Sequence, residues 1–212
     1  MMQNKNEVRW FLLWQRLGAR GDGREPYEDL VRRYAEPHRR YHVMAHIEHC
    51  LDEFEAVRHL AINPEIAEMA LWYHDAVYRT ELGVKDNEEK SARLARAVLH
   101  DASLPFIGEY VARLILATKH KGVPEGPDAR LVVDIDLSSL GLSQDEFYRN
   151  WDLIREEYDW VPDEIFLAKR LEILGAFLKR SAIYYTQFFH NKYEAQAQRN
   201  IEHARIRFSR GT

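Results

Sequence analysis

The chain has 212 residues, 46 % hydrophobic and 30 % charged; this is the balance of a globular protein able to bury a sizeable core, and it excludes a disordered or fibrous chain. A net charge of -4 excludes the strongly basic footprint of a nucleic-acid binder, but not a local pocket for a small anion. One cysteine, Cys50, excludes an internal disulfide and fits a reducing compartment, so a cytoplasmic protein is expected.

The N-terminal stretch MMQNKNEVRWFLLWQRLG is broken by Arg9, Gln15 and Arg16, which makes it too short and too polar for a signal-peptide core or a membrane span. Val8, Phe11, Leu12 and Leu17 predict an amphipathic helix over about 7–18, followed by the loop GARGDG. A second helix is expected over 26–36, with Pro26 as its first residue and Pro37 beyond its end. The third, about 42–60, carries His42, His46 and His49; Cys50 lies in it beside Leu51 and Phe54, where a small packed hydrophobe is its ordinary role.

Asn63 and Pro64 read as the cap and first residue of a helix that runs through EIAEMALWYHDAVY and breaks at Gly83. Asp86 or Asn87 caps the next. Further helices are expected at about 106–120, 143–158, 163–188 and 193–209. The run RLVVDIDLSSLG suits a strand or a helix; one strand without a partner makes no sheet, so it is read as helix. There is no solenoid repeat and no linker of low complexity. The expectation is an all-α single domain of eight to ten helices.

On a helix, His42, His46 and His49 share a face, as metal ligands or a ligand with a neighbouring proton donor would. The zinc-protease pattern H-E-x-x-H does not apply, because Val43 stands where its glutamate would be, and HIEH misses the inverted pattern by one residue. Further on, His74 and Asp75 stand side by side in an apolar helix among Leu71, Trp72, Ala76 and Val77. A buried carboxylate costs several kcal/mol unless a partner or cation compensates it. Asp134 and Asp136 are likewise set in an apolar run, about 200° apart on a helix, so only one of them faces a given centre. Histidine and aspartate from three helices form a mixed nitrogen and oxygen donor set for a divalent metal.

The order His, then His-Asp, then Asp in an all-helical chain resembles the HD superfamily of metal-dependent phosphohydrolases. YHVMAH is similar to the Tyr-His-Asn-x-x-His of the related cyclic nucleotide phosphodiesterases, with Val43 in place of asparagine, and IDLS to their Ala-Asp-Leu-Ser. Together with HDAVY, DNEEKSA and DLSSLG, these stretches look most like a bacterial family of predicted HD-superfamily phosphohydrolases named for the motif rather than a substrate.

The resemblance implies an HD-type bundle with a metal-site core over about 38–140, completed by helices over 143–209. It implies His46, His74, Asp75 and Asp136 as metal ligands, Asp136 being preferred to Asp134. His42 would be the proton donor to the leaving group, with Asp75 or Glu89 assisting the water. His120 resembles the extra histidine that gives some HD proteins a second metal, although a histidine at a helix C-terminus also has an ordinary dipole explanation. The implied cofactor is one or two divalent ions, drawn from Mn, Mg, Fe, Co, Ni and Zn. The implied substrate is a small phosphate ester or nucleotide, with no nucleic-acid polymer or membrane as partner and a homodimer compatible with the pattern. Two other readings are a di-iron oxygenase on the same fold, which His120 would serve, and a non-catalytic domain binding a nucleotide or partner.

Overall fold

The computed structural model describes residues 5–81 and 86–209. These form ten α-helices and two 3-10 turns, with no strand among the described residues, in agreement with the all-α expectation. No helix among them is long and apolar enough to cross a membrane. The expected break at Gly83 lies outside the described residues. The chain divides into two compact units, Met1–Val133 and Asp134–Thr212.

The first unit is built around α4 (Pro64–Tyr73). Every residue from Ala67 to Tyr73 is buried, as befits a helix that is apolar on all sides. Asn63 and Pro64 start it as the sequence predicts. Four helices pack on it: α1 (Lys5–Arg16), α3 (Met44–Val57), α5 (Asn87–Asp101) and α6 (Pro105–Ala117). Trp10 of α1 meets Trp72 edge to face, with ring centroids 5.4 Å apart, a favoured aromatic geometry. The exception inside α4 is Glu68, whose carboxylate is paired with Arg58. Burial nevertheless pushes this carboxyl above its ordinary value.

α2 (Arg24–Tyr34) sends the Tyr34 hydroxyl to the carbonyl of Trp72, which accepts its hydrogen bond at 2.8 Å. Asp128, buried in α7 (Pro127–Asp136), accepts from the backbone N–H groups of Ile62 and Asn63 at 2.7 and 3.1 Å and so fixes the entry to α4. The ambiguous VVDID run is thus helical, and a 3-10 turn, Leu137–Gly141, follows it.

The second unit holds α8 (Gln144–Glu157), α9 (Asp163–Leu178) and α10 (Gln187–Ser209). Ser143 and Glu146 form a capping box at the start of α8. Asn200 of α10 donates to the carbonyls of Leu140 and Leu142, both at 2.9 Å. A side chain at Gly141 would run into Tyr193, so the close approach of α10 requires glycine there.

The expected helix over 163–188 is cut short at Leu178, and the next begins at Gln187 rather than 193. Buried carboxylates account for the interruption. Glu194 accepts from the backbone N–H of Ile183 and Tyr184, and Asp134 from those of Tyr185 and Thr186. N–H groups engaged in this way cannot take part in a helical ladder.

Candidate metal centre

Two corrections to the expected helices shape the centre. α3 begins at Met44, and its N-cap Val43 is extended, with φ -114° and ψ 177°. His42 therefore precedes the helix and does not share a face with His46 and His49. α4 ends at Tyr73 with His74 as its C-cap, so His74 and Asp75 close the helix instead of lying inside it.

Polar side chains hold the non-helical segment after α4. Ser91 Oγ accepts the N–H of Val77 at 3.0 Å, and Asn87 makes two bonds with the backbone of Arg79. His38 Nε2 donates to the carbonyl of Tyr78 at 2.7 Å. Arg39, whose side chain is fully buried, donates to the carbonyls of His42, Asp75 and Ala76 and to the carboxylate of Glu36. One guanidinium thus joins the two stretches that carry His42 and Asp75. Sequence reasoning missed Arg39, because nothing local separates it from its exposed neighbour Arg40.

His46 of α3 and His74 are both buried. The Nδ1 of His74 lies 2.9 Å from the carbonyl of Leu71. A carbonyl only accepts, so Nδ1 carries the proton and the lone pair of the neutral ring is at Nε2. That Nε2 is 3.2 Å from His46 Nε2 and 3.2 Å from Asp75 Oδ2, and His46 Nε2 is 3.6 Å from the same oxygen. A triangle with those sides has a point about 2 Å from each corner, the length of a metal–nitrogen or metal–oxygen bond. Two imidazoles and a carboxylate are a donor set suited to a divalent transition metal, and the three residues could hold such an ion.

Burial favours the neutral acid of Asp75, but the imidazoles of His74, His42 and His46 outweigh it and hold the carboxyl below the usual carboxylate range. The His42 ring stacks on Tyr78, with centroids 3.8 Å apart, and lies 6.0 Å from the His46 ring. Cys50, one turn after His46 on α3, is fully buried, with Sγ 3.7 Å from His46 Nε2.

The remaining predicted residues lie as follows. Glu89, in the first turn of α5, forms an ion pair with Lys119 that lowers its carboxyl pKa. Its neighbour Glu88 is raised by burial, with the field of Asp75 adding to the effect. His120 follows α6 in the left-handed conformation, φ 55°, and its N–H donates to the carbonyl of Ala117. It is not among the donors that converge with His46 and His74. Asp136 is the last residue of α7. Asp134 is fully buried and accepts from Tyr185 N–H, Thr186 N–H and the Thr186 hydroxyl at 2.6–2.8 Å.

No protein-family model matches the chain, and neither a curated protein nor a solved structure matches it.

Proposed function

We propose that the protein is a divalent-metal-dependent hydrolase of a small phosphate ester or nucleotide. The observation that carries this reading is the convergence of His46 Nε2, His74 Nε2 and Asp75 Oδ2 at the separations of donors around one ion. Asp136 is the fourth ligand of the proposal. The resemblance to HD proteins supports that choice, and so does the engagement of Asp134 with backbone N–H groups of its own unit.

A bound divalent ion would lower the pKa of a coordinated water and draw charge from a phosphoryl oxygen. The chain's side chains do the rest. His74, oriented by Leu71, presents Nε2 in a fixed direction. Asp75, kept ionised by the surrounding imidazoles, takes the proton of the attacking water at a carboxylate oxygen. His42, stacked on Tyr78, delivers a proton from a ring nitrogen to the departing oxygen, a role suited to an imidazole near neutral pH.

The test is metal analysis of the purified protein, followed by phosphate release from nucleotides and sugar phosphates with Mn, Mg, Co and Ni supplied separately. Release that depends on the metal and is lost in Asp75→Asn supports the reading. Metal-loaded protein inactive on every phosphate compound contradicts it.

A further inference from the structure

We propose that the centre has a second donor set, His46, His74 and Cys50, through which a thiophilic divalent cation such as cadmium or zinc, with cobalt as its spectroscopic stand-in, is bound by sulfur. The inference rests on His46 and His74 being metal ligands, and it adds that the kind of ion decides whether Cys50 joins them.

Cys50 follows His46 by one helical turn on α3, on the same face. Its side chain is fully buried, with Sγ 3.7 Å from Nε2 and 3.9 Å from Nδ1 of His46. The ligand atoms of His46, Cys50 and His74 all lie within 4.8 Å of one another. Around a tetrahedral ion, bonds of about 2.0 Å to nitrogen and 2.3 Å to sulfur put the two atoms about 3.5 Å apart. The observed Nε2–Sγ separation is close to that of a shared ion; Sγ also lies 3.9 Å from Nδ1 and so stands beside the ring, and rotation of the Cys50 or His46 side chain would bring it to an ion on the Nε2 lone pair. The His74 ring is already turned by its bond to Leu71.

Two overlapping sets thus share two imidazoles and differ in the third donor, the Asp75 carboxylate or the Cys50 thiolate. Carboxylate suits hard ions such as Mg and Mn, and thiolate suits soft ones. As the metal–sulfur bond forms, the S–H bond breaks and its proton passes to solvent, with no change of oxidation state. The pairing gives the protein a means of trapping soft ions at the place where a hard ion would support hydrolysis.

Cobalt(II) titration of the metal-free full chain separates the claims. Visible ligand-field bands report an ion held in a low-symmetry site, and a near-ultraviolet sulfur-to-cobalt band reports the thiolate. Wild type should show both. Cys50→Ala and Cys50→Ser should keep the visible bands and lose the near-ultraviolet one. Their cadmium affinity should fall at least about tenfold, while manganese affinity changes by less than about twofold. Visible bands without the sulfur band in wild type would overturn this inference and leave the metal centre standing. Folded wild-type protein silent in both regions would remove the metal centre and this inference with it.

Discussion

Arg39 Nη1 donates to the main-chain carbonyl of Asp75 at 2.7 Å and, from the same nitrogen, to the carbonyl of His42 at 3.1 Å. A buried cation therefore sets the spacing between the segment before α3 and the turn after α4. Its charge is offset by Glu36 and by the rings of Tyr34 and Tyr78 beneath it. Arg39 is a positioning residue, acting on the centre through backbone carbonyls.

Arg39→Met should leave those carbonyls buried without donors and cost about 3 kcal/mol or more of stability, read from urea unfolding. Arg39→Lys keeps the charge but not the planar fork. Metal affinity in the lysine variant should drop about ten- to a hundredfold, the usual effect of losing a group that orients ligands. Unchanged affinity in both variants would show that the backbone holds this spacing without the guanidinium.

The two aspartates of VVDID should separate cleanly. Burial pushes the Asp134 carboxyl up to about 6, so between about pH 4 and pH 6 the folded protein keeps a proton that the unfolded chain has lost. Folding stability from this group is thus highest below about pH 4 and falls as pH rises through about 6. The Asn variant does not titrate. Asp134→Asn should gain on wild type by about 2 kcal/mol between pH 4 and pH 7 in parallel unfolding curves, with metal content unchanged. Asp136→Asn should lose metal.

Removing His42 should affect chemistry more than binding. His42→Ala should keep the metal, as its ring lies beside the donors rather than among them. Once a substrate is known, kcat should fall about a hundredfold or more, the contribution expected of a general acid. A substrate whose leaving group needs no proton should recover much of the rate. Equal losses on both substrates would reassign His42 to a packing role against Tyr78.

Most of the fold was legible because its signals are local. Apolar periodicity predicts the helices of the first unit, Asn63-Pro64 and Asp86 mark their starts, and the VVDID run is helical as expected. The misplaced boundaries depend on distant partners. Residues 183–186 leave the helical ladder because Asp134 and Glu194 accept their N–H groups, which no window around those residues contains. The centre was legible in composition and order: His46, His74 and Asp75 were all anticipated and do converge. The placement of Cys50 and Arg39 against the centre was not legible, since a cysteine beside leucine reads as core and an arginine beside arginine reads as surface.

The account stands on one ion held by His46, His74 and Asp75. Anomalous diffraction from crystals of the full chain loaded with manganese measures it directly. A single strong peak about 2.1 Å from His46 Nε2, His74 Nε2 and an Asp75 oxygen is the predicted result, with Asp136 as the next carboxylate to inspect. A peak elsewhere, or none in crystals at saturating manganese, would contradict the account.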